Sequence, residues 1–123
     1  MKQVLIVEDS QSCAETLQIA LESIPGLETR VLHSPRAAIS AMRESHGEIA
    51  AIVTDLHMPQ SDGFDLIRQL RAEPRFADLP ILLISGDSDP LLAEKALAQG
   101  ADAFFPKPYS PSAVRKKLEQ LLC

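Results

Sequence analysis

The stretch Ile49-Ala50-Ala51-Ile52-Val53-Thr54-Asp55, followed by Leu56-His57-Met58-Pro59-Gln60-Ser61-Asp62-Gly63, decides the fold. A short, continuous apolar run bounded by turn residues reads as a strand buried on both faces. Its last residue is a carboxylate, and the residues that follow favour a turn. The run therefore delivers one acid to the mouth of a sheet. A second apolar run, residues 4–7, ends in Glu8-Asp9. Two strands ending in acids on one edge of a sheet make a cation site, and one of the acids is placed to act as a nucleophile.

Outward from these two runs, strand and helix signals alternate. Further strands are expected at 28–32, 81–85 and 103–106, beside those at 4–7 and 49–54. Ala14, Leu17, Leu21 and Ile24 recur at helical spacing, and Pro25-Gly26 stops that helix. Ser34-Pro35, Asp89-Pro90 and Ser110-Pro111 each read as an N-cap with proline at the first helical position. Asp62 is expected to cap a helix carrying Phe64, Ile67 and Leu70. Gly100 suits the left-handed residue after a helix that contains Leu92, Ala93, Ala96 and Leu97. Val114, Leu118 and Leu121 face the core from the last helix.

Five strands alternating with five helices predict an α/β fold, a single doubly wound (βα)5 domain over residues 1–123. Helices cover both faces of a parallel sheet, and right-handed crossovers leave few strand orders. In the order 2-1-3-4-5, strands 1 and 3 are neighbours at the switch point, where ligands bind beyond the carboxyl ends. Glu8-Asp9 and Asp55 end those two strands. The same order puts the last strand at an edge, where the missing N–H of Pro106 is tolerated.

Composition bounds the function. The 123 residues suffice for one domain with a real core, and 46% hydrophobic against 24% charged is a globular balance. A net charge of −5 argues against a broad nucleic-acid surface and against membrane attraction. No apolar run approaches the ~20 residues that span a bilayer, and Met1-Lys2-Gln3 leads into a strand rather than a signal-peptide core. Cys13 and Cys123 lie far apart in the chain, so a reducing cytoplasm without a disulfide framework is expected.

Glu8, Asp9 and Asp55 crowd three negative charges, and a hard divalent cation with oxygen ligands is their natural partner. Mg²⁺ takes one or two carboxylates, waters and a phosphate oxygen. The later strands end at Ser85 and Lys107, which add a hydroxyl and a compact positive charge. A carboxylate nucleophile, a metal, a hydroxyl and an ammonium form a phosphoryl-transfer constellation. An Asp in that role forms an acyl phosphate.

At this point the chain resembles a response-regulator receiver domain of two-component signalling, the CheY-like family. The resemblance covers essentially the whole chain. It rests on Val7-Glu8-Asp9-Ser10, Asp55-Leu56-His57-Met58-Pro59 with Asp62-Gly63, Ser85-Gly86 and Lys107-Pro108. It implies that Asp55 is the phosphoacceptor, in a reaction dependent on Mg²⁺ (or Mn²⁺). Asp9 would bind the metal directly and Glu8 mostly through water, with Asp55 and the backbone carbonyl of His57 as further ligands. Lys107 would pair with the phosphoryl group, across a cis Lys107-Pro108 peptide. Ser85 would move to the phosphoryl group, and Phe104 matches the aromatic switch position. His57 and Asp87 border the phosphoryl group, where this family tunes phosphate lifetime.

The resemblance also implies partners. The donor would be a sensor histidine kinase or a histidine phosphotransfer protein. The chain would catalyse only its own phosphorylation and dephosphorylation, and so would not be an enzyme in the ordinary sense. Output would pass to a downstream protein, or to a homodimer, through the face of helix 4, strand 5 and helix 5, lined by Leu91, Ala98, Tyr109 and Lys116. The short tail after the last helix fits a stand-alone receiver or a piece of a longer regulator, without direct nucleic-acid or membrane contact.

Other readings fare worse. Taken singly, Asp55 is a turn residue, Lys107 a surface lysine and Phe104 a core strand residue. His33, His46 and His57 lack metal-ligand spacing and read as exposed loop residues, while Met42 and Met58 read as packing. Arg115-Lys116-Lys117 reads as a solvated helix face. A flavin carrier of the same sheet order would be repelled at its phosphate by Glu8-Asp9, and the chain has no Trp and one Tyr to stack on a flavin. The P-loop pattern G-x-x-x-x-G-K-[ST] does not occur. An aspartyl phosphatase would need an acid two residues past its nucleophile, where His57 stands. A receiver fold that works as an unphosphorylated interaction module is the remaining rival.

Overall fold

The structure is a computed structural model that describes residues 2–58 and 61–122. Its strands in chain order are β1 (Lys2–Val7), β2 (Leu27–Leu32), β3 (Ile49–Asp55), β4 (His57–Met58), β5 (Ser61–Asp62), β6 (Ile81–Ser85) and β7 (Ala103–Pro106). The helices are α1 (Gln11–Glu22), α2 (Pro35–Glu44), α3 (Gly63–Arg71), α4 (Leu92–Gln99) and α5 (Pro111–Leu122). Five strands form one parallel sheet in the order β2-β1-β3-β6-β7. Counted along that sheet alone, this is the expected 2-1-3-4-5, with Pro106 on an edge strand. The antiparallel ribbon β4–β5 and a 3-10 turn at Pro74–Phe76 were not expected from the sequence.

Alternation along the strands builds two core layers. Leu5, Val7, Ile52 and Leu83 point to one side, where they meet Met42, Ile67, Leu70 and Ala96 from α2, α3 and α4. Val4, Ile6, Val53 and Leu82 point to the other, against Leu17, Leu21, Val114 and Leu118 from α1 and α5. The central strands β1, β3 and β6 therefore bury both faces over most of their length, which is why they are largely apolar, whereas the edge strand β2 carries Glu28, Thr29 and an exposed Arg30. Met42 and Met58 are both buried in the first layer. Across from the acid-bearing edge, the Arg71 guanidinium donates to the carbonyls of Gly100 and Phe76 and to Asp102. It ties the end of α3 to the chain entering β7.

The helix boundaries follow local chemistry. Ser34 Oγ accepts the Ala37 N–H at 3.1 Å and Pro35 opens α2. Gly100 closes α4 at φ +111°, the left-handed conformation a side chain resists. One expectation needs correction. Asp89-Pro90 does not open α4 directly; the helix starts at Leu92, after a turn in which Asp89 Oδ1 accepts the Leu91 N–H at 2.9 Å. The aspartate's short side chain folds back on the backbone and delays the helix. The expected Asp62 cap concerns a side chain outside the described ones.

Candidate functional site

Strand register brings the polar residues to one edge. Val7 pairs with Thr54, so Glu8 and Asp55 leave neighbouring strands at the same level. Asp55 pairs with Ile84, and Ser85 pairs with Pro106, so Ser85 and Lys107 follow one step further along the sheet. Carboxylate oxygens of Glu8, Asp9 and Asp55 all lie within 4.8 Å of one another. Glu8 and Asp55 are only 3% and 7% exposed, whereas Asp9 faces solvent.

Lys107 compensates part of this charge. Its Nζ donates to Asp55 Oδ2 at 2.8 Å and to Glu8 Oε1 at 3.4 Å. Burial alone would lower the lysine's pKa, but the hydrogen bond and charge of Asp55, joined by those of Glu8, hold it above the usual lysine range. Glu8 is pushed up from the usual carboxylate range, first by burial and then by the charge of Asp55. One ammonium thus does not satisfy the cluster. Oxygen donors in this number and spacing fit a hard divalent cation, with the exposed Asp9 on the open side.

The backbone around Asp55 is tightly held. The His57 N–H donates to Asp55 Oδ1 at 3.2 Å, and the Leu56 N–H to the Ile84 carbonyl at 2.8 Å. Gly63 comes so close that an added Cβ would lie 2.8 Å from Leu56 Cα and 3.0 Å from the Asp55 carbonyl oxygen. On the far side, the Lys107 N–H donates to the Ser85 carbonyl at 2.7 Å, and the Lys107–Pro108 peptide is cis.

A family model described as the response regulator receiver domain matches residues 4–119. The chain belongs to the response-regulator receiver family. Chemotaxis protein CheY1 of Helicobacter pylori is 26% identical over 119 residues, which are 97% of this chain and 95% of that protein. The C4-dicarboxylate transport regulator DctD of Pseudomonas aeruginosa is 35% identical over 121 residues, 95% of this chain but only 25% of DctD. Among solved structures, chemotaxis response regulator CheY4 of Vibrio cholerae is similar at TM-score 0.86 and 26% identity, over 99% of each chain.

Within this receiver, Ser85 is fully buried and its Oγ accepts the Asp87 N–H at 3.0 Å. Asp87 in turn accepts the Asp89 N–H on one oxygen and His57 Nε2–H, at 3.0 Å, on the other. These bonds, the Asp89 N–H first and the imidazole second, hold the Asp87 carboxyl below the usual range. Asp89 accepts from Leu91 N–H and, at 2.7 Å, from Lys95 Nζ. An unbroken polar chain therefore runs from Ser85 to the first turns of α4. Sequence reading placed His57 and Asp87 near the site but missed their direct bond. It also missed this chain, whose signal was the pattern Asp87-Ser88-Asp89-Pro90. Phe104 does not join the acids; it is half-buried against the first core layer. Among the described residues, no helix is long and apolar enough to cross a membrane.

Proposed function

We propose that this receiver accepts a phosphoryl group on Asp55, with Asp9, Glu8, Asp55 and the His57 carbonyl holding Mg²⁺ or Mn²⁺. The observation that carries the reading is the meeting of three carboxylates with one ammonium at 2.8 Å from Asp55. The cation, when bound, neutralises charge on the transferring oxygens. An Asp55 oxygen attacks the phosphorus of a phosphohistidine, the P–N bond breaks, and the imidazole leaves with a proton. Lys107 pairs with the incoming phosphoryl oxygens and gives up part of its hold on Asp55. Ser85 turns to donate to a phosphoryl oxygen, releasing the Asp87 N–H, while Phe104 repacks on β7.

The donor is a sensor histidine kinase or a histidine phosphotransfer protein in the cytoplasm, and the whole chain is one receiver that catalyses no turnover beyond its own phosphate. Output passes through the α4–β7–α5 face to a downstream protein or a second copy. Two exposed leucines on that side, Leu91 and Leu97 at 53% and 56%, support a partner surface there. The polar chain from Ser85 to Lys95 gives a physical route from the phosphoryl site to α4. Phosphorylation biases a pre-existing equilibrium of this face.

Incubation with Mg²⁺ and acetyl phosphate, read by intact mass, tests the assignment. Wild type gains one phosphate and Asp55→Asn gains none. Labelling of Asp55→Asn would refute the site, and a wild type that takes up neither phosphate nor Mg²⁺ would favour a module that works unphosphorylated.

A further inference from the structure

From the end of β2 we infer that His33 is a positioning residue for the metal-binding acids, an inference that rests on the metal site proposed above. The parallel pairing of β1 with β2 brings Val7 level with Leu32. One step on, the Glu8 N–H donates to the Leu32 carbonyl at 3.0 Å. There the chain turns away, because Ser34 becomes the N-cap of α2. The next rung comes from a side chain: His33 Nδ1 lies 3.1 Å from the Glu8 carbonyl oxygen. A carbonyl only accepts, so Nδ1 carries the proton and donates.

The bonded carbonyl belongs to the peptide plane that joins Glu8 to Asp9. Holding that plane narrows the directions in which the two side chains leave the backbone. The two peptide planes that flank the Glu8 Cα are then each held, one through the Glu8 N–H by Leu32 and the other through the Glu8 carbonyl by His33, while Ser10 N–H donates to Glu8 Oε2 at 3.4 Å. Neutral and protonated imidazole can both donate from Nδ1, so the role does not require a change of charge. His33 itself is exposed and packs no core, so its removal leaves the fold intact. Groups behind metal ligands set ligand direction and thereby affinity.

Mg²⁺ titration by calorimetry on the full chain, for wild type, His33→Ala and His33→Asn, tests this role. The Ala variant should bind Mg²⁺ about three- to tenfold more weakly, the effect of one net hydrogen bond. The Asn variant, which can present an N–H to the same carbonyl, should recover most of that loss, with melting temperatures alike in all three. Wild-type affinity in His33→Ala would overturn the inference and leave the proposed function standing. Equal weakening in Ala and Asn would overturn the donated N–H as the cause. Absence of Mg²⁺ binding by wild type would remove the metal site itself, and this inference with it.

Discussion

Lys107 and Asp55 are joined at 2.8 Å at a place where Asp55 is 7% exposed, and the same ammonium reaches the buried Glu8 at 3.4 Å. One cation faces two carboxylates withdrawn from water and offsets part of their charge. Lys107→Ala leaves both unpaired, and should cost about 1–3 kcal/mol, below the full cost for a buried pair because Lys107 is itself 30% exposed. It also removes the cation that competes with a metal for these oxygens. Urea unfolding in chelator should therefore show a lower midpoint for Lys107→Ala. Added Mg²⁺ should raise that midpoint more than it raises that of wild type. A variant as stable as wild type in chelator would mean that Lys107 does not neutralise the pocket.

The acids and the lysine were legible because each stands at or within two residues of the end of a largely apolar run, and strand length is written in hydrophobicity. Sheet order added their adjacency: only with β1 beside β3 do Glu8 and Asp55 become neighbours. What stayed hidden depends on side-chain direction. Nothing in the sequence says that His57 reaches Asp87 thirty positions away, or that His33 turns its ring back to Glu8. Asp89-Pro90 misled for a local reason. The same residue that makes a good N-cap also makes a good turn, and here the turn won, so α4 begins at Leu92.

The His57–Asp87 bond joins the start of β4, just past Asp55, to the loop after β6. If this bridge shields the Asp55 acyl phosphate from water, either residue's loss opens the same door. His57→Ala and Asp87→Ala should each speed dephosphorylation by about two- to fivefold, and the double variant should be no faster than the faster single one. Single-turnover decay of phosphorylated protein, followed by mass, measures this. Multiplying effects in the double variant would show that the two residues act separately.

Gly63 opens α3, where alanine would ordinarily gain about 1 kcal/mol of helix propensity. Its neighbours reverse that sign. A Cβ would sit 2.8 Å from Leu56 Cα, and backbone cannot step aside as a flexible side chain can. Gly63→Ala should destabilise the protein by about 1–3 kcal/mol. The displaced Leu56 segment carries Asp55 and His57 with it, so Mg²⁺ affinity should fall in the same variant. A Gly63→Ala variant more stable than wild type would show that α3 can shift away without disturbing Asp55.

Tyr109 offers a pH test, because it is the chain's single tyrosine and there is no tryptophan. It lines a groove with Ser12, Cys13 and Lys107, the residue that pairs with Asp55. Burial first, then the negative charge that Cys13 and Glu8 carry at high pH, pushes its phenol up from 10.0 to about 12. Near-ultraviolet absorbance of the tyrosinate should rise with a midpoint near about 12 in the folded protein and near about 10 in urea. Between those two values the unfolded chain has lost a proton that the folded one keeps, so stability falls with rising pH across that window. Below about pH 10 both states hold the proton and this group's contribution is fully present. A folded-state midpoint at the unfolded value would mean that Tyr109 lies in water, and that the groove between α1 and the start of α5 stands open.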